Sequence, residues 1–191
     1  MKKGTRNLLI AVGIIVLLVL IVYGQFKGMY NRFVMLEENV NKAASDIENV
    51  LQRRLDLIPN LVNTVKGYAA HEEEVLTAVT EARARVGSAK TLGGKLEANT
   101  QLTSALGRLL VVMENYPNLK ANQNFLTLQS QLEGTENRIA VERRRYNEAV
   151  AAYNKTVKSF PERIFAGMFG FEPREFFEAQ PGAKQAPKVE F

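Results

Sequence analysis

Apolar residues fall along this chain in two regimes. The first is a continuous run, LLIAVGIIVLLVLIVY from Leu8 to Tyr23, broken only by Gly13. No charge lies between Arg6 and Lys27, which leaves 20 consecutive uncharged residues. As a helix this run is about 30 Å long, enough to cross the hydrocarbon core of a bilayer. Leu8, Leu9, Ile10, Ile14, Ile15, Val16, Leu17, Leu18, Leu20, Val22 and Tyr23 are the expected membrane-spanning side chains. A cleaved signal peptide is the rival reading, since a basic start and an apolar run fit it too. The length of the run, and the absence of a small-x-small site in GQFKGMYNRF, favour a retained single-pass anchor over residues 1–27.

Beyond Lys27 the apolar positions recur at threes and fours. Phe33, Leu36, Val40, Ala43, Ile47, Val50 and then Leu55 or Ile58 keep one face apolar over about eight helical turns. Proline breaks a helix interior but suits a first turn. The spacing therefore predicts a turn near Asp56–Leu57–Ile58 and a second helix from Pro59, with one long helix kinked at Pro59 as the alternative. Leu61, Val65, Tyr68, Leu76, Val79, Ala82 and Val86 mark the second helix, which is expected to dissolve at GSAKTLGGK. A third helix is predicted from about Glu97 to Asn115, ended by Tyr116–Pro117. A fourth runs from about Leu119 to Ser159 at a near-heptad, coiled-coil-like rhythm, with Gly134 its weak point. No alternating strand pattern occurs. The expected architecture is all-α: an N-terminal transmembrane helix, then an antiparallel up-down four-helix bundle of long helices over residues 28–160.

The fourth helix, about 60 Å long, overshoots its predicted neighbours, so it must bend, project or meet another copy. After it, residues 160–177 hold six of the ten phenylalanines, among them Phe165, Phe169, Phe171, Phe176 and Phe177. Two readings of this segment (residues 161–178) stand side by side. It caps the open end of the core, or it meets the membrane or a neighbouring copy. Residues 179–191 lack periodicity and read as a disordered tail.

Composition removes most chemistry. There is no cysteine, so no thiolate site or cysteine nucleophile. One histidine cannot build a two-histidine metal centre, and His71-Glu72-Glu73-Glu74 lacks the second histidine of a zincin helix. Gly-x-Ser-x-Gly and P-loop spacings are absent. The net charge of +5 owes three charges to Lys2, Lys3 and Arg6; the rest is 22 basic against 20 acidic residues, an ordinary surface that predicts no nucleic-acid partner. Glu72 and Glu142 fall in apolar phase and need partners, for which Arg53, Arg54, Arg83 and Arg143 to Arg145 are candidates. Register-fixing ion pairs are the expected outcome rather than acid–base catalysis. The asparagines of Tyr30-Asn31, Tyr146-Asn147 and Tyr153-Asn154 read as hydrogen-bonding groups between helices or between copies. No enzyme activity, cofactor or metal site is expected. The basic residues near the run narrowly favour a cytoplasmic N-terminus, with the larger part of the chain on the extracytoplasmic side.

Three stretches carry a resemblance. ENVNKAASDIENVLQRRLDLIPNLVNTVKGYAAHEEEVLTAVTEARA (Glu38–Ala84), ENYPNLKANQNFLTLQSQLEGTENRIAVERRRYNEAVAAYN (Glu114–Asn154) and FPERIFAGMFGF (Phe160–Phe171) resemble the LemA family. The resemblance covers roughly residues 27–178. Ala44 departs from it, at a position where the family commonly has tryptophan. It implies a bacterial cytoplasmic-membrane protein with an N-terminal helix and an antiparallel helical bundle, and no established enzyme activity. Residues shared with the family include Arg54, Asp56, Leu57, Pro59, Asn60, Lys66, Gly67, His71, Glu72, Tyr116, Pro117, Lys120, Asn122 and Phe125. These gather around the expected turns at residues 56–60 and 116–122. The predicted partner surface is therefore Asp56, Asn60, Lys66, His71, Glu72, Tyr116, Lys120 and Asn122, with the five phenylalanines above. The expected role is a self-associating scaffold of the cell envelope, whose partners are the lipid bilayer and other copies. An accessory subunit or regulator of a membrane protease is the alternative.

Overall fold

A computed structural model describes residues 3–69 and 71–177 of the chain. Among them there are helices and no strands: α1 (Lys3–Lys66), α2 (Glu73–Ser88), α3 (Leu92–Met113), α4 (Pro117–Lys120), α5 (Gln123–Lys158) and α6 (Glu162–Phe169). The all-α expectation holds. The tail expected to be disordered, residues 179–191, lies outside the described residues, as does the side chain of Leu8.

The chain divides into two units. One comprises the chain up to Asn41 with Asn147–Phe176; the other comprises Lys42–Tyr146 with the chain from Phe177. In the second unit, α1, α2, α3 and α5 supply the four walls of one core, built on Ile58, Leu61, Val65, Val79, Leu102 and Leu109. The threes-and-fours spacing creates this face, because residues so spaced share one side of a helix. A short connection of three residues between α2 and α3 makes them neighbours.

The turn expected at Asp56–Ile58 does not form. α1 continues through Pro59 to Lys66, and the chain turns at Gly67, Tyr68 and His71 instead. Proline removes the N–H that would bond the carbonyl four residues back, that of Leu55. Arg83 Nε of α2 donates to that carbonyl at 2.9 Å, so the helix keeps its acceptor satisfied. Gly67, the residue after α1, has the weakest helix preference apart from proline. There Val65 O accepts from both Tyr68 N and Ala69 N at 2.9 Å, closing the helix end.

Two further boundaries differ. α3 begins at Leu92 rather than Glu97, because Thr91 acts as its N-cap: its Oγ1 accepts from Gly94 N at 3.1 Å. Gly93 and Gly94 are thus first-turn residues and not linker. The last long helix is split, the single turn α4 standing before α5. Asn122 Oδ1 caps α5 by accepting from Asn124 N at 2.9 Å and Phe125 N at 3.1 Å. Once begun, α5 runs uninterrupted through Gly134.

In the first unit, Phe33 and Val40 of α1, Val150, Tyr153 and Val157 of α5, and Ala166 of α6 are buried. The described side chains from Leu9 to Tyr23 are all exposed. This is a helix long and apolar enough to cross a membrane, with apolar side chains on every face and none of the run buried inside the protein.

Candidate functional site

In the second unit the turn after α1 and the turn around α4 are fastened together. Tyr116 Oη donates to Glu72 Oε1 at 2.7 Å, and Asn122 Nδ2 donates to Tyr68 Oη at 2.9 Å. Asn122 therefore uses its oxygen to cap α5 and its nitrogen to reach the opposite turn. The bond to Glu72 raises the Tyr116 pKa above its ordinary value, with burial and the carboxylate charge adding to it. His71 is exposed between these groups in sequence, and Lys120 is exposed and paired with Glu114. Phe125 lies beneath, in the core.

The sequence placed eight polar residues on one surface. The structure brings Glu72, Tyr116 and Asn122 together in this bonded pair of turns, with His71 and Lys120 on the same two turns. Asp56 and Asn60 are not part of it. They are exposed along α1, where Asp56 accepts from Gln52 Nε2 at 2.8 Å, because the chain does not turn at Pro59. Lys66 is exposed at the end of α1. Tyr68, which the sequence reading assigned to the apolar face, is exposed and joins the polar pair.

A second polar feature was visible only in part. Arg54 follows the apolar phase of α1 and is 3% exposed. Its Nη1 donates to Asn99 Oδ1 of α3 at 2.9 Å and is ion-paired with Glu136 of α5. Glu136 also accepts from Thr103 Oγ1 at 3.2 Å. The guanidinium borders a cleft of about 210 Å³ lined by five leucines together with Thr103, Gly107, Gln129, Glu133 and Glu136, and its Nε has no hydrogen-bond partner among the described residues. Burial lowers the Arg54 pKa to about 10, so it stays a cation at neutral pH. Such a group, tied to α3 and α5, fixes the register of three helices. Glu142 is buried too, but the arginines that hold it, Arg138 through Nε at 3.1 Å and Arg145 through Nη1 at 3.0 Å, are on its own helix α5, so these pairs neutralise a buried carboxylate and do not set register between helices. Asn99 and Glu136 carried no sequence signal; the sequence offered Arg54 as a partner for Glu72 or Glu142, whereas it is bound to Asn99 and Glu136.

In the first unit the phenylalanine-rich segment folds onto α1. Phe165 packs edge-on against Phe26 with ring centroids 4.7 Å apart. Phe169 and Phe171 meet Tyr30 at 5.1 and 5.8 Å, and Phe171 also meets Phe33 at 5.1 Å. Asn154 locks the extended stretch after α6: Nδ2 donates to Arg174 O at 2.7 Å and Oδ1 accepts from Arg174 N at 2.8 Å. Phe176 is exposed. In the second unit, Phe177 packs on Tyr146 with centroids 4.4 Å apart. Among the described residues no group of three or more metal-ligating side chains converges.

The sequence pattern of the LemA family matches residues 43–191. The chain is 31% identical over 178 residues to magnetosome protein MamQ 1 of Paramagnetospirillum magneticum, a match covering 80% of this chain and 65% of the relative. It is 28% identical to magnetosome protein MamQ of Magnetospirillum gryphiswaldense, over 95% of this chain and 75% of the relative. It is 26% identical to protein LemA of Metamycoplasma hominis, over 73% of this chain and 64% of that protein. The chain thus spans just under two thirds of the length of two of these three relatives.

Proposed function

This chain belongs to the LemA family, and from that premise and the geometry above we propose that it is a membrane-anchored interaction protein that self-associates as a scaffold of the bacterial cell envelope. In this reading α1 crosses the cytoplasmic membrane once, with the rest of the chain on the extracytoplasmic side. The observation that carries the reading is the bonded pair of turns. Tyr68, Glu72, Tyr116 and Asn122 bond the two turns together, and His71 and Lys120 are exposed on those same turns. A rigid polar surface of that kind presents a fixed pattern of donors and charge to another copy, which lowers the ordering cost of association. Anchoring adds to this by confining copies to a plane and raising their effective concentration. Two of the three relatives above are named as proteins of the magnetosome rather than for a reaction, which supports the same reading. No catalytic step is assigned to the chain.

Native mass spectrometry of the full chain released from lipid nanodiscs tests this. The expected result is a defined multimer that Tyr68→Ala combined with Lys120→Glu shifts toward monomer while helical content is unchanged. A wild-type monomer at every concentration, or a multimer indifferent to both changes, overturns the proposal.

A further inference from the structure

α6 has two apolar faces. One carries Phe165, Ala166 and Phe169 and packs on its own unit through Phe26 and Tyr30. The other carries Ile164 and Met168, one turn apart, with Phe160 just before the helix. These three are 56%, 65% and 83% exposed. A surface helix in water normally turns charge outward. On α6 the exposed charge is at the flank, on Arg163, while Glu162 is paired with Arg32 at 3.8 Å.

The position of α6 along α1 supplies the reason. Phe26, which holds Phe165, is the last residue of the charge-free run, and Tyr30 and Phe33 lie within about 10 Å of helix rise beyond it. If the run fills the hydrocarbon core, residues 26–33 of α1 stand in the headgroup layer, which is several ångströms deep. α6 is bound to that same stretch. Lys27, Lys158 and Arg163, all exposed, lie beside it as basic groups suited to lipid phosphates. A shallow apolar groove bordered by Leu18, Val22, Tyr23 and Phe169 continues from the run onto the aromatic cluster.

We propose that α6 is a second membrane contact: an interfacial helix that sinks Phe160, Ile164 and Met168 into the boundary between headgroups and acyl chains. The aromatic contacts with Phe26 and Tyr30 hold it at that depth, so that the unit is fixed against the bilayer and not merely tethered by one helix. This rests on α1 being the anchor.

The chain has no tryptophan, so one introduced indole reports one position. Met168→Trp, Ile164→Trp, Val16→Trp and Val111→Trp are each placed in the full-length protein. All four are reconstituted in phosphatidylcholine–phosphatidylglycerol vesicles, with and without lipids brominated near the top of the acyl chain or, for Val16→Trp at mid-span, near its end. Met168→Trp or Ile164→Trp is expected to lose about half its emission to the brominated lipid, as suits a side chain roughly 5–10 Å into the boundary. Val111→Trp, 72% exposed on α3, is expected to respond only to aqueous acrylamide. Two results overturn the proposal while leaving the anchor intact, given quenching of Val16→Trp by lipid bromine. One is acrylamide quenching without bromine quenching at both α6 positions, which puts them in water. The other is protection from both quenchers, which means that protein covers them. Failure of Val16→Trp to sense bromine removes the anchor, and the proposal with it.

Discussion

Arg83 Nε donates to the carbonyl oxygen of Leu55 at 2.9 Å, and Leu55 is the residue whose carbonyl Pro59 leaves without an intrahelical donor. The bond joins α2 to α1 at the one place where α1 lacks a rung. Leu55 is buried, so no solvent molecule readily takes over. Arg83→Ala is therefore expected to lower stability by about 1–3 kcal/mol, the cost of an unsatisfied buried acceptor. Pro59→Ala restores the missing N–H, and in that background the loss of Arg83 should be milder by about 1 kcal/mol. Urea unfolding of the four proteins of this cycle, followed by far-ultraviolet circular dichroism, measures the coupling. Additive changes would show that the two residues act independently.

That pair also shows where sequence reading stops. The missing N–H of Pro59 is plain in the sequence, but the arginine that takes the carbonyl is on another helix, and without it a turn was the better inference. Thr91 and Asn122 are ordinary cap residues that became visible as caps only once the chain showed where helices start. By contrast, the burial of Phe33, Val40, Ile47, Ile58, Leu61 and Val65 follows directly from period. So does the apolar run of α1, which needs no tertiary partner to be recognised. The shared polar residues split for the same reason: Glu72, Tyr116 and Asn122 converge because both of their turns are real, and Asp56 and Asn60 do not because theirs is absent.

The buried carboxylate of Glu142 separates two effects of an ion pair. Its side chain is 4% exposed, while those of Arg138 and Arg145 are 65% and 58% exposed. Removing both arginines (Arg138→Ala with Arg145→Ala) strips the carboxylate of these partners and should cost about 3–5 kcal/mol. Glu142→Leu removes the buried charge itself and leaves two solvated arginines, so stability should stay within about 1 kcal/mol of the parent or rise. Thermal melts of both variants test the asymmetry. Equal losses would mean that the pair, and not the burial of the carboxylate, sets the energy.

Tyr116 and Tyr153 are held above the ordinary phenol pKa of 10. For Tyr116 the chief cause is its bond to Glu72; for Tyr153 it is burial, then the charge of Glu37. A phenol with a higher pKa in the folded chain than in the unfolded one holds its proton more tightly when folded. Its contribution to stability is thus whole below pH 10 and drains away as pH climbs through the folded-state pKa. Ultraviolet titration of phenolate absorbance should show a late-titrating component that Tyr116→Phe and Tyr153→Phe each reduce. Glu72→Gln should return Tyr116 toward the ordinary value and leave Tyr153 unmoved. A late-titrating component that neither Tyr116→Phe nor Tyr153→Phe reduces contradicts both assignments.

The asparagine of the Tyr153-Asn154 pair binds chain 20 residues away, both taking and giving a hydrogen bond at the backbone of Arg174. Asn154 is itself buried, so these bonds are shielded from water and hold the stretch after α6 in place. The same stretch is tied at its surface by Arg174 to Glu37 at 2.7 Å. If Asn154 is the main fastening, Asn154→Ala should speed hydrogen exchange at the Arg174 amide on the order of tenfold to a hundredfold, equivalent to one or two net hydrogen bonds. Phe171, which begins this stretch, should then loosen from Tyr30 and Phe33, while amides of α2 and α3 keep their protection. Glu37→Gln removes only the exposed ion pair and should change exchange by less than about threefold, as surface pairs do. Unchanged exchange at Arg174 in Asn154→Ala would move the fastening from the asparagine to the aromatic rings.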